Sequence, residues 1–337
     1  MKPVRWGMIG CGAVTEVKSG PALYKADGST LVAVTAADLA QAHDWARRHG
    51  VGKVHDKAAD LIADPEVNIV YIATPPASHM QYALDCAQAG KPAYIEKPMA
   101  QTHADCMTII DAFSQARVPA FVAYYRRGME RFQAIKRLLD DGAIGAVRSV
   151  SVTQLKRPEA EDFHRDALPW RLRPEIAGGG KFLDMGIHTI DFLDYACGPI
   201  AEVHGIASNQ AGLYEVEDIV TATWRFANGV HGTGTWCYAC AEERDEVTFI
   251  GERGRLTFAF FAQTPLRLET GTDVREIAYA DPAHVQQPFV QSIVDELRGH
   301  GRCPGDLHSA ARASAITDEI LRAYRRERGF DTQYGWK

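Results

Sequence analysis

The chain has 337 residues, 46% hydrophobic and 24% charged, the composition of an ordinary globular protein with room for two domains and a sizeable core. A formal net charge of −6 gives no global field for nucleic acid or anionic lipid, and no apolar run approaches the roughly 20 residues that cross a bilayer. Seven scattered cysteines, an odd number, argue for reduced thiols in a cytoplasm rather than a disulfide framework.

Residues 1–12 are strand-like and run straight into a glycine turn, so no signal peptide is expected. Up to residue 122, short apolar runs (4–9, 31–35, 69–73, 93–95 and 120–123) alternate with helical patterns near 13–25, 39–49, 77–89 and 102–116. The runs are continuously hydrophobic, which fits strands buried on both faces. Gly50 and Gly90 read as helix stops. A βαβ series of this kind predicts an α/β domain with a doubly wound parallel sheet.

After Tyr124-Tyr125-Arg126-Arg127 the pattern changes. A helix at 128–140 and an alternating strand at 147–155 lead into an irregular polar stretch and a helix at 181–196. Alternating strands follow at 201–208, 218–227, 230–237, 245–250, 255–260 and 265–269, which predicts a large, mainly antiparallel sheet. Helices at 288–299 and 306–327 close the chain, the last with a basic face of Arg322, Arg325, Arg326 and Arg328 expected in solvent. The expected domains are 1–122, binding a dinucleotide, and 123–337, binding substrate and carrying the oligomer contact, with the closing helices free to pack back on the first domain.

Gly10-x-Gly12-x-x-Thr15 follows a strand and opens a helix at Ala13 and Val14, the context that makes such a motif a dinucleotide site. Gly10 permits the turn, Gly12 lets backbone approach a pyrophosphate, and Thr15 obliges the packing to accept a branched side chain. After the second strand, Ala36 stands where an NAD site usually has an acid, and Asp38 comes two residues later. That is a mild lean to NADP over NAD, although Arg47 and Arg48 lie farther along. Thr74, Pro75 and His79 form a loop expected along the cofactor, with Ser78 a candidate cap. Glu96-Lys97-Pro98 ends a further strand, so Lys97 stands at the carboxyl edge of the sheet, where open α/β folds bind ligands. Asp184 and His188 are spaced i, i+4 and share one helix face. Histidine can carry a hydroxyl proton near neutral pH, and a lysine can stabilise a developing oxyanion.

These residues together resemble the glucose–fructose oxidoreductase/inositol dehydrogenase (Gfo/Idh/MocA) family. The likeness covers nearly the whole chain through Gly10-x-Gly12, Thr74-Pro75 with His79, Glu96-Lys97-Pro98, Arg126, Trp170-Arg171 and the run Gly178 to Asp191 with its Asp184-x-Gly186-x-His188-x-x-Asp191. The resemblance implies an N-terminal Rossmann domain, a C-terminal α+β domain with an open sheet, and redox chemistry at a carbinol or carbonyl carbon. It implies Lys97, Asp184 and His188 as catalytic residues. Gly10, Gly12, Ala13, Val14, Ala36, Asp38, Thr74, Pro75, His79, Glu96 and Lys97 are expected at the cofactor. Tyr125, Arg126, Trp170 and Arg171 are expected with the catalytic residues at a small sugar, polyol or diol, Tyr238 and His231 being further possibilities. No metal is expected; Cys237 and Cys240 have ligand spacing but no second pair. A homodimer or homotetramer is expected by analogy. Which of Lys97 and His188 carries the proton stays open, as do a hydrolase that recycles a tightly held NAD and a cofactor-binding sensor.

Overall fold

The computed structural model describes residues 3–330. The chain forms two compact units: the first runs from the N-terminus to Met129 and takes in Pro282–Ala311, and the second takes Glu130–Asp281 and continues from Arg312.

The first unit is a six-stranded parallel sheet. Its strands are β1 (Val4–Ile9), β2 (Ser29–Thr35), β3 (Lys53–Val54), β4 (Ile69–Ile72), β5 (Ala93–Ile95) and β6 (Ala120–Val122), in the order β3-β2-β1-β4-β5-β6. Every residue of β4, β5 and β6 is buried, as continuous apolar runs require. The order reverses between β1 and β4, and that switch point is where doubly wound sheets bind ligands. β3 was not expected, since two half-buried residues leave no periodic signal, and neither was the helix Ala58–Ala63.

The helix expected over 13–25 is broken into Ala13–Val17 and Gly20–Lys25. Pro21 is the reason, since it has no N–H for the Val17 carbonyl and opens the second helix; Gly20 before it is bare because a Cβ there would lie 2.2 Å from the Thr15 carbonyl oxygen and 2.6 Å from the Trp45 ring. The helix Leu39–His49 starts at Asp38 and stops at Gly50, whose φ of 71° is the left-handed cap. The helix Gln287–Leu297 also belongs to this unit, burying Phe289, Val290, Ile293 and Val294 against Trp6 and Tyr94. That spacing is one helix face.

The second unit holds an eight-stranded sheet. Its strands are β7 (Val147–Leu155), β8 (Ile200–Ser208), β9 (Ile219–Phe226), β10 (His231–Cys237), β11 (Arg244–Gly251), β12 (Gly254–Phe258), β13 (Leu266–Thr270) and β14 (Asp273–Ile277), in the order β14-β13-β12-β11-β7-β10-β9-β8. All pairings are antiparallel except β7 with β10. The edge strand β14 escaped the sequence reading because four of its five residues are exposed and mostly polar. One sheet face is apolar. Phe132, on the helix Glu130–Asp140, packs there 4.9 Å from the Phe192 ring and 5.1 Å from that of Phe260. The other face carries Ser151, Thr221, Thr223 and Thr233, with Ile206 and Ile250 exposed among them. Arg325 departs from the expected solvated face: it is buried, pairing with Asp318 at 2.6 Å and donating to the Gly178 carbonyl at 3.0 Å.

Candidate active site

Two glycines of the first turn have different reasons to be glycine. Gly10 sits at φ 101°, and a Cβ there would meet the Ala73 carbonyl oxygen at 2.6 Å, so the fold itself demands it. Gly12 has extended backbone, and a Cβ there would meet nothing within 4 Å. Its bareness serves no packing, which fits a turn that a pyrophosphate approaches closely. Thr15 is accommodated beneath the turn, fully buried, its hydroxyl donating to the Gly12 carbonyl at 2.7 Å. Ala13 is exposed and Val14 half-buried.

Past β2, Ala36 is half-buried and Asp38 exposed. The Asp38 carboxylate accepts from the Gln41 N–H at 3.2 Å, so it caps the helix Leu39–His49. Arg48 is held by Glu16 at 2.6 Å and Asp44 at 2.7 Å, and Arg47 by Asp44 at 2.6 Å. The guanidinium beside Glu16 holds that carboxyl below its usual range.

The loop after β4 turns its polar atoms inward. Ser78 does not cap a helix; its hydroxyl donates to Thr74 Oγ1 at 2.7 Å and to the Pro75 carbonyl at 3.0 Å. His79 is fully buried, with Nδ1 2.8 Å from the Pro98 carbonyl and Nε2 2.7 Å from that of Thr74. Burial pushes its pKa down, while the two carbonyls favour the proton. The ring thus clamps the Thr74 loop to the turn that carries Lys97. That turn contains the cis peptide Lys97–Pro98, and Lys97 is half-buried.

Glu96 faces the interior. Its Oε1 accepts from the Tyr71 hydroxyl and from Gln286 Nε2, both at 2.7 Å, and its Oε2 lies 3.2 Å from the Lys97 N–H. Beyond β6, Arg126 is buried, with its guanidinium 5.0 Å from the Tyr125 ring centre and donating to the Tyr125 hydroxyl at 3.2 Å.

In the second unit the expected regular helix over 181–196 begins as a wider π turn, Phe182–Gly186, and becomes α-helical only at Ile187–Cys197. Bare Gly186 lets the Phe182 ring lie against the backbone, where a Cβ would meet it at 2.4 Å. Asp184 lies in the π turn, half-buried, and His188 in the first α turn, buried. The pair is therefore not the simple i, i+4 stack of a uniform helix. Such single π turns concentrate at functional sites. Tyr238 is fully buried and donates to Gln154 Oε1 at 2.8 Å. Burial, then the charge of nearby Asp184, pushes its hydroxyl well above the usual range. His231 is exposed at the start of β10.

Sequence reasoning missed what holds the glycine run ahead of that turn. Lys181 and Asp162 form a buried pair at 2.6 Å, Glu159 adds a contact at 3.5 Å, and Arg171 pairs with Glu161 and Glu159. Arg171 is thus a brace within the loop, while its neighbour Trp170 is 41% exposed. Glu217 accepts from the Gly180 N–H at 2.9 Å. None of these carries a motif in the sequence.

The family models match in the same two blocks. One described as an oxidoreductase family with an NAD-binding Rossmann fold matches residues 4–124, and a GFO/IDH/MocA C-terminal domain matches residues 132–257. The chain is 38% identical to Oxidoreductase P35 of Formosa agariphila over 317 residues, 94% of this chain and 97% of that protein. It is 29% identical to a trans-1,2-dihydrobenzene-1,2-diol dehydrogenase of Bos taurus, over 74% of this chain and 72% of that one. The solved structure of a levoglucosan dehydrogenase complex with NADH and levoglucosan superposes with a TM-score of 0.83, covering 96% of this chain and 98% of that one. At 23% identity that likeness is one of fold. The first unit is thus an NAD-binding Rossmann fold, and the chain is an enzyme of the oxidoreductase class. It belongs to the Gfo/Idh/MocA family.

Burial raises the Glu217 carboxyl from 4.5 to about 7. The folded state therefore holds its proton more tightly than the unfolded chain does, and the associated stability is full below pH 4.5 and is lost as pH rises through 7. Relative to Glu217→Gln, the parent should lose roughly 3 kcal/mol across that window. Denaturant titrations of both proteins at pH 4.5 and pH 8 measure this; a constant difference between them contradicts it.

Proposed function

We propose that the protein moves a hydride between the nicotinamide of NAD or NADP and a carbinol or carbonyl carbon of a sugar, polyol, cyclitol or dihydrodiol-like substrate. The carrying observation lies within the first unit. The Gly10–Gly12 turn after β1 and Lys97 after β5 both stand at carboxyl ends of parallel strands, on either side of the switch point. The diol dehydrogenase relative supports the dihydrodiol class, and the likeness to a levoglucosan dehydrogenase supports the sugar class.

Gly10, Gly12, Ala13 and Val14 would hold the pyrophosphate, Ala36 the ribose, and Thr74 and Pro75 the flank of the nucleotide. The cofactor, when bound, supplies or accepts the hydride. Everything else falls to the chain. The Lys97 ammonium hydrogen-bonds the reacting oxygen and stabilises its developing charge. A ring nitrogen of His188 takes the hydroxyl proton, or exchanges that task with Lys97 Nζ. Asp184 orients the substrate hydroxyls, and Tyr125, Arg126 and Trp170 present aromatic and cationic surface to a polyhydroxy ring. Lys97→Ala should lower kcat by about 10²- to 10⁴-fold while nucleotide binding persists. A panel of aldoses, inositols and diols read at the reduced-nicotinamide absorbance supplies the assay, and near-parental turnover in the variant removes Lys97 from the reaction.

NADP is the preferred cofactor in this reading, because the Ala36 methyl neither repels a 2′-phosphate nor binds a 2′-hydroxyl. Ala36→Asp should then shift the kcat/KM ratio towards NAD by about tenfold or more. A parent that already favours NAD strongly contradicts the preference. The seven cysteines form no disulfide, which suits a reducing cytoplasm.

The Ser/Thr face of the second sheet, with Ile206 and Ile250 exposed on it, is the surface we assign to a homodimer or homotetramer. Sedimentation equilibrium should give at least the dimer mass for the parent and a smaller species for Ile206→Glu; a monomeric parent refutes the assignment.

A further inference from the structure

Gln286 stands just before the helix Gln287–Leu297 and is fully buried. Both ends of its side-chain amide are engaged. Nε2 donates to Glu96 Oε1 at 2.7 Å, and Oε1 accepts from the Tyr94 hydroxyl at 2.6 Å. The chemistry fixes this orientation, since the reversed amide would set a carbonyl oxygen against a carboxylate.

The same short segment grips a second functional edge. The Gln286 N–H donates to the Lys18 carbonyl at 3.1 Å, and His284 Nδ1 lies 2.6 Å from the Val17 carbonyl. Val17 and Lys18 close the helix that follows the Gly10–Gly12 turn. Phe289, one turn along, packs its ring 6.0 Å from that of Tyr94, which stacks on Tyr71 at 4.9 Å. A stretch 190 residues from Glu96 in sequence thus ties the exit of the cofactor turn to the strand end that carries Lys97.

We infer that Gln286 is a positioning residue for the redox step: it holds the Glu96 carboxylate still and thereby sets where Lys97 stands. The inference rests on the catalytic reading of Lys97. Three donors converge on Glu96, namely the Tyr71 hydroxyl, the Gln286 amide and the Lys97 N–H. A buried carboxylate that loses one of them is left with an unsatisfied oxygen, and the rotation that re-satisfies it shifts the adjoining residue.

Gln286→Leu removes the amide. In the intact enzyme, kcat should fall about 10- to 100-fold, as misplacement by an ångström can cost. Nucleotide affinity, measured by calorimetry without substrate, should stay within about threefold. Gln286→Glu sets a second carboxyl against Glu96, so the two share one proton. Its kcat should hold on the acid side and collapse on the alkaline side, a limb absent from the parent. Acetylation of Lys97 relative to exposed Lys57, read by mass spectrometry on nucleotide-free protein, should change in both variants and so reports position without activity. Should Gln286→Leu fail to fold, the pH profile of Gln286→Glu decides. Parental kcat, pH profile and Lys97 labelling in the folded variants, with Lys97→Ala inactive, overturn this inference alone. An active Lys97→Ala overturns the catalytic reading on which it rests.

Discussion

A carboxylate taken out of water at the end of a β-strand has to be satisfied from within the protein, and Glu96 is that carboxylate. It is 7% exposed. Its partners come from β4 and from the segment before the helix Gln287–Leu297. Those partners are themselves fixed by rings. Trp6 meets Tyr94 edge-on at 6.2 Å, Tyr94 stacks on Tyr71, and Phe289 closes the group from the far helix. The apolar core of the first unit and the polar end of β5 are therefore one construction. Loosening the rings would free the carboxylate, and with it the residue beside it.

The second unit solves a similar problem with charge. A glycine run has little packing of its own and high backbone freedom. Here three buried polar groups hold it: Glu217 takes the Gly180 N–H, Arg325 binds the Gly178 carbonyl, and Asp162 anchors Lys181. The last contact also fastens the loop bearing Trp170 to the segment bearing Asp184. Breaking a buried pair by removing one partner costs far more than a surface pair is worth. The loop and the π turn are thus held as one piece.

Much of this was legible in the sequence for simple reasons. Strands buried on both faces read as unbroken apolar runs, so β1 and β5 lie where the sequence places them. Alternation betrayed β8 to β13 in the same way. Signals failed where a local rule was overruled by a neighbour. Gly20 is bare because Trp45, far along the chain, needs its space, and Gly186 accompanies a π turn because of the Phe182 ring. Motif residues were found by type, but their partners were not. Asp38 caps a helix, His79 clamps two carbonyls, and Arg171 braces a loop. Each of those uses depends on atoms that sequence distance hides.

The amino-acid sequence by itself determined the order of every strand but β3 and β14, the parallel and antiparallel sheets, the glycine turn and the family, because each depends on short-range periodicity or on a few residues at fixed spacing. Only the tertiary structure decided that Gln286 and Glu96, 190 residues apart, satisfy each other, and that Lys181 and Glu217 hold the glycine run. A buried polar atom accepts any donor of the right shape, whatever its sequence position, and nothing but the folded backbone says which one arrives.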